Sequence, residues 1–207
     1  MTSINESSQV LSIVIPVYNE EKNIQDIIDR ILAVEPYLFR VGISDLELIV
    51  VDDGSSDRTA EIVGKRENVK LIKHGSNKGY REALKTGFCA AQGALLCFMD
   101  ADGTYPPEYL PKLCTCALNG ADIVIGSPSS ANQSQMPRVR KISTLFWENL
   151  VILLRRLSAS SHASGMRVFH RELLERLNPF PDELNLTPIM RTRLGHEDII
   201  MIKVPIQ

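Results

Sequence analysis

Between residues 10 and 125, short β-branched apolar runs alternate with segments whose apolar residues return at helical spacing, and this alternation leaves few folds open. Residues 10–17 are almost wholly apolar, as a strand buried on both faces must be. Ile24, Ile27, Ile28, Ile31 and Leu32 then recur every three or four residues, the period of a helix with one buried face. Asn19 can cap that helix, and Glu20 and Glu21 suit its positive first turn. Residues 46–51 form a second strand ended by Asp52-Asp53-Gly54, and Ser56 or Asp57 can cap a helix reaching about Arg66. Residues 69–73, 94–99 and 122–125 are further strands. A helix over 79–92 lies between the third and fourth, and another opens at Pro106-Pro107, where proline suits a first turn. Strands separated by helices pair in parallel through crossovers, so the expected fold class is α/β, a mainly parallel central sheet with helices on both faces.

A length of 207 residues suits one domain with a real core. The expectation is a single unit over 1–207, with 10–126 as its ligand-binding half and 127–207 as a second half. The net charge of -2 gives the molecule no overall attraction to nucleic acid. Charge is unevenly placed, however. From Arg138 to Arg176 eight basic residues face three acids, which points to an anionic partner there, phosphate or membrane surface. Polar residues 1–9 do not form a secretory signal, and no run of about 18 apolar residues offers a transmembrane helix. The expected location is cytoplasmic, extending to the cytoplasmic face of a membrane. Cys89, Cys97, Cys114 and Cys116 lack the spacing of a zinc or redox motif and are expected to be free thiols.

Ligands of parallel sheets bind beyond the carboxyl ends of the strands. Two acidic pairs fall there: Asp52-Asp53 after the second strand, and Asp100 and Asp102 after the fourth. Two carboxylates one residue apart can grip a hard cation, Mg²⁺ or Mn²⁺, beside the oxygens of a nucleoside diphosphate. Small Ala101 leaves the approach open, and Gly103 permits a sharp turn. Alone, Asp-x-Asp-Gly reads better as a plain turn.

The surrounding text changes that balance. Ser12-Ile-Val-Ile-Pro-Val-Tyr-Asn-Glu20, Val50-Val-Asp-Asp-Gly-Ser-Ser-Asp57, Asn77-Lys-Gly79 and Phe98-Met-Asp-Ala-Asp-Gly-Thr-Tyr-Pro-Pro-Glu108 resemble, in order and spacing, the segments of family-2 glycosyltransferases of the GT-A fold. Ser164-Gly-Met-Arg-Val-Phe169 is similar to the corresponding segment in the branch of dolichol-phosphate mannose synthases and polyprenyl-phosphate sugar transferases. The resemblance implies that Pro16, Tyr18 and Glu20 line a nucleoside pocket, that Asp53 with Asp52 contacts base or ribose, and that Lys78 and Gly79 lie beside the nucleotide. It implies that Asp100, Ala101 and Asp102 hold the diphosphate, the two carboxylates through a divalent cation. The implied donor is a GDP- or UDP-sugar, and the implied chemistry an inverting displacement.

The acceptor is expected in the second half. A lipid monophosphate is already ionised near neutral pH and needs cations to hold it, whereas a sugar hydroxyl needs a base. Arg138, Arg140, Ser143 and Arg167 are candidates for such a phosphate, and Glu183 for a base. Residues 141–157 read as one helix; Trp147 and Arg155-Arg156 suit an interfacial helix in peripheral membrane contact, and a core or homodimer helix is the plain alternative. His196-Glu197-Asp198 reads as a turn. Pro128 stands where the lipid-phosphate branch often has arginine, and the segment before Gly165 lacks that branch's aspartate. Relatives continue past the position of Gln207 into a basic segment. A non-catalytic nucleotide-sugar-binding module is a reading of another class.

Overall fold

A computed structural model describes residues 9–128, 165–176 and 200–206. The elements in chain order are β1 (Val10–Val17), α1 (Ile24–Arg40), β2 (Asp45–Asp52), α2 (Thr59–Gly64), β3 (Lys70–Lys73), α3 (Tyr80–Ala90), β4 (Leu95–Phe98), a 3₁₀ turn (Pro107–Tyr109), α4 (Leu110–Leu118), β5 (Ile123–Pro128), β6 (Arg167–His170), α5 (Arg171–Arg176) and β7 (Met201–Ile206). They build a seven-stranded sheet of order β3-β2-β1-β4-β6-β5-β7. Every pairing is parallel except those of β6, which runs antiparallel to both β4 and β5.

Alternation along β1 explains the layers. Leu11, Ile13, Ile15 and Val17 point to one face and pack with Ile24, Ile27, Ile28 and Ile31 of α1 and with Leu110, Leu113 and Cys114 of α4. Val14 points to the other face and joins Ala83, Leu84 and Phe88 of α3 and Leu173 of α5. There the ring of Phe88 meets Phe98 and Phe169 edge-on, with centroids 6.2 and 5.5 Å away. Gly87 is what brings α3 this close, because a Cβ there would sit 2.2 Å from a methyl of Val14. The four cysteines are free thiols.

One local expectation needs correction. Asn19 does not cap α1: it lies in the left-handed region at φ 56°, and α1 begins at Ile24, where Glu20 O accepts the N–H groups of Asn23 and Ile24. The same helix runs past Leu32 to Arg40, through Pro36, because Val34 and Leu38 keep its buried face continuous. The helix expected to reach about Arg66 is α2, Thr59–Gly64. The family-like segment at 164–169 leads into a strand, β6, over Arg167–His170. Its reversed direction brings Gly165 and Met166 to the carboxyl end of β4, where Gly126 N–H bonds Met166 O. No helix among the described residues is long and apolar enough to cross a membrane. The helix expected over 141–157 and the turn at His196-Glu197-Asp198 lie outside the described residues.

Candidate active site

The loops after β1, β2, β3 and β4 meet at the carboxyl edge of the sheet, and the first two are bound into one piece. Asn19 N–H donates to Ser55 Oγ at 2.9 Å, and Asn19 Oδ1 accepts Ser56 N–H at 2.8 Å. Glu20 N–H donates to Thr59 Oγ1 at 2.8 Å and Glu21 N–H to Asp57 Oδ2 at 3.1 Å. Asp57 also accepts the N–H of Thr59 at 2.9 Å, so it ties the loop as well as starting α2. Pro16, the next-to-last residue of β1, is buried, whereas Tyr18 is 49% exposed and not a packed core aromatic. Glu20 is half-buried and accepts Asn23 Nδ2 at 2.9 Å.

The two aspartates after β2 have different surroundings. Asp52 is buried, and one of its oxygens accepts Ser55 N–H at 3.1 Å. Asp53 is buried with both oxygens engaged by the chain. Oδ1 receives His74 Nδ1 at 2.6 Å and Lys78 N–H at 2.9 Å, and Oδ2 receives Gly79 N–H at 2.8 Å. Burial alone would raise its pKa, but the Lys78 N–H, the His74 ring and the Gly79 N–H together hold it below the ordinary carboxylate value. Asp53 therefore shapes the 74–79 loop, and it brings Lys78 and Gly79 to the site through their backbone.

A pH dependence follows from that shift. A carboxylate with a depressed folded-state pKa adds stability that is present above its unfolded value, about 3.9, and is lost as pH falls through the folded value. The stability gap between the wild type and Asp53→Asn is expected to be widest above about pH 5 and to close in more acid solution. Urea melts of both chains at stepped pH values check this; a gap that is unchanged below pH 4 refutes it.

After β4 the carboxylates again divide. Asp100 is buried; its Oδ1 accepts the Tyr80 hydroxyl at 2.7 Å and its Oδ2 accepts Gly165 N–H at 3.1 Å. Burial raises its pKa, the Tyr80 hydrogen bond opposes that, and the charge of Asp102 adds to it. Tyr80 is pushed up strongly by its own burial and by the Asp100 charge, so it stays a hydroxyl donor. Asp102 is exposed, with Oδ1 accepting Thr104 N–H at 2.9 Å. Ala101 between them is buried. Glu108 forms a two-bond pair with Arg30 at 2.8 and 2.9 Å, which fastens the turn after the aspartates to α1. Arg167 is buried, with its guanidinium 5.5 Å from the Phe98 ring centroid and within electrostatic reach of Tyr80, Tyr105 and Asp100. Burial lowers its pKa and those three groups oppose the shift.

The donor set fits a hard divalent cation. Asp100 and Asp102 present carboxylate oxygens, the ligands such a cation takes, and among the described residues no group of three or more His, Cys, Asp or Glu converges. Each oxygen of Asp100 accepts one hydrogen bond and retains a lone pair.

Sequence reasoning missed His74, Tyr80 and the Gly165 N–H. His74 directly follows β3 at the same edge of the sheet as both acidic turns, and Tyr80 directly follows Asn77-Lys-Gly79; position alone could have flagged both. Arg138, Arg140, Ser143 and Glu183 lie outside the described residues.

The model of glycosyl transferase family 2 matches residues 12–177, most of the chain and all four loops. The chain belongs to this family. Similar family members include the undecaprenyl-phosphate 4-deoxy-4-formamido-L-arabinose transferase of Photorhabdus laumondii, 29% identical over 199 residues, which covers 94% of this chain and 59% of that protein. The dolichol-phosphate mannosyltransferase of Pyrococcus furiosus is 39% identical over 120 residues, 56% of this chain and 32% of that protein. The chain thus spans little more than half the length of the first relative and a third of the second. Among solved structures, the mannosyltransferase PcManGT of Pyrobaculum calidifontis, in complex with GDP-Man and Mn²⁺, aligns with TM-score 0.64 at 21% identity over 94% of this chain and 54% of that one. The fold is therefore GT-A, as the family resemblance implied.

Proposed function

We propose that the chain transfers a sugar from a nucleoside-diphosphate sugar to a polyprenyl phosphate, with inversion at the anomeric carbon. The observation that carries this reading is the convergence of two acidic turns, Asp52-Asp53 and Asp100-Ala101-Asp102, on one edge of the sheet, joined by residues 78–80. In this reading Pro16, Tyr18, Glu20 and Asp52 line the nucleoside side, and Asp53 holds the loop of Lys78 and Gly79 against it. Asp100 and Asp102 hold a Mg²⁺ or Mn²⁺ ion at the diphosphate. The cation supplies charge neutralisation of the departing diphosphate. The chain's own residues orient the donor so that its anomeric carbon faces the second half of the protein, where the acceptor phosphate enters.

The similarity to two polyprenyl- or dolichol-phosphate transferases favours a lipid phosphate acceptor. Such an acceptor needs no base, and Arg138, Arg140 and Ser143 are the residues proposed to hold it. Buried Arg167 is proposed to serve indirectly, as the positive charge behind Asp100. Membrane contact and self-association belong to the same proposal. The test is incubation of the chain with GDP- and UDP-sugars and Mn²⁺, with undecaprenyl or dolichyl phosphate or a saccharide as acceptor. Metal-dependent formation of a lipid-linked sugar is expected. Product only on saccharide hydroxyls reassigns the acceptor, and nucleotide binding without turnover on any acceptor makes the chain a binding module.

A further inference from the structure

Three consecutive residues span both acidic turns. Lys78 N–H and Gly79 N–H are held by Asp53 at 2.9 and 2.8 Å, and the hydroxyl of Tyr80, the next residue, donates to Asp100 at 2.7 Å. Asp53 is fixed in turn by His74, whose other ring nitrogen lies 3.0 Å from Thr86 Oγ1 on α3, the helix that Tyr80 begins. The start of α3 is thus anchored on the nucleoside side and reaches across to the metal side. On its far oxygen Asp100 is held by Gly165 N–H. Its carboxylate is therefore held by one hydroxyl and one backbone amide, one on each oxygen.

We propose that Tyr80 is a positioning residue for the cation: its hydroxyl fixes the Asp100 carboxylate in the orientation that receives the metal, and it links metal seating to the loop held by Asp53. This rests on the reading of Asp100 and Asp102 as the metal-holding pair. A carboxylate that is free to turn loses rotamer entropy when a cation binds it, whereas one already clamped does not. The hydroxyl leaves the metal itself to Asp100 and Asp102. Its loss therefore weakens metal uptake while the nucleoside contacts stay in place.

The test compares wild type, Tyr80→Phe, Asp100→Asn and the double variant. Free Mn²⁺ is counted by electron paramagnetic resonance during titration in the presence of GDP or UDP, and nucleotide affinity is measured at saturating Mn²⁺. Tyr80→Phe is expected to weaken Mn²⁺ binding about tenfold, as loss of a partner behind a metal ligand typically does. Nucleotide affinity at saturating Mn²⁺ should stay within about twofold of wild type. The double variant should bind Mn²⁺ no worse than Asp100→Asn alone, because Tyr80 acts only through that carboxylate. Unchanged Mn²⁺ affinity in Tyr80→Phe, or full additivity in the double variant, overturns the proposal while leaving the metal reading intact. A wild-type chain that takes up no Mn²⁺ with either nucleotide overturns both. Phenylalanine keeps the ring in its place, and a thermal melt of each variant verifies folding. If Tyr80→Phe melts early, Asp100→Asn and the double variant decide: equal melting of that pair together with unequal Mn²⁺ affinity overturns the proposal.

Discussion

Asp102→Ala is expected to abolish metal-dependent stabilisation by GDP or UDP and to lower transfer about a thousandfold, several kcal/mol of lost charge neutralisation at the leaving diphosphate. Asp102 is exposed, and among the described residues its one hydrogen bond takes Thr104 N–H, so the apo protein should melt within about 1 °C of wild type. This separates it from Asp100, whose buried carboxylate serves Tyr80 and Gly165 as well. Removing Asp100 leaves two donors facing a gap and should cost stability besides function. Thermal-shift measurements with and without Mn²⁺ and nucleotide read both effects, since a ligand that binds only the folded state raises its melting point. Equal nucleotide-plus-metal stabilisation of Asp102→Ala and wild type would remove that residue from the metal site.

The second large effect is expected at Gly54, directly after Asp53. Its φ is +78°, and a Cβ built there would lie 2.7 Å from both Asn77 N and Ser76 C. Those are backbone atoms of the loop that Asp53 holds, so they cannot rotate away as a side chain would. Gly54→Ala should cost about 3 kcal/mol, combining left-handed backbone strain of about 1–2 kcal/mol with forced separation of two packed loops. The same separation pulls Lys78 and Gly79 from Asp53, so nucleotide affinity should fall even at saturating Mn²⁺. Urea unfolding and nucleotide titration measure the two parts. A stability change under about 0.5 kcal/mol would mean that the loops move apart freely, against the geometry.

The carboxyl edge of the sheet was legible because its signals are local. A β-branched run followed by an acidic turn marks both a strand and its carboxyl end, so β1, β2 and β4 were placed within a residue or two. The two acidic turns were placed on that edge for the same reason. What escaped was set by contacts between distant positions. His74 gains its meaning only from Asp53, and Tyr80 only from Asp100, about twenty residues away in each case. A four-residue strand such as β6 carries no mark of its direction, so a reversed strand between β4 and β5 could not be anticipated from its apolar pattern. Asp53 has a further role that its motif does not announce. Its place in a recognisable motif suggested a ligand contact, and its oxygens also accept the chain's own N–H groups. Asn19, a good capping residue by type, is drawn into the left-handed region by Ser55 and Ser56 of the neighbouring turn.

The reversal of β6 has a consequence for how such a chain diversifies. β5 ends at Pro128 on the carboxyl edge, and β6 starts from Gly165 on that same edge. Whatever joins them leaves and re-enters the sheet on the edge where the acidic turns lie, so its length and sequence can change without shifting the register of a single strand. Under the proposed function, selection can then retune what receives the sugar while the residues that hold the donor stay fixed, much as a tool head is exchanged on an unchanged shaft.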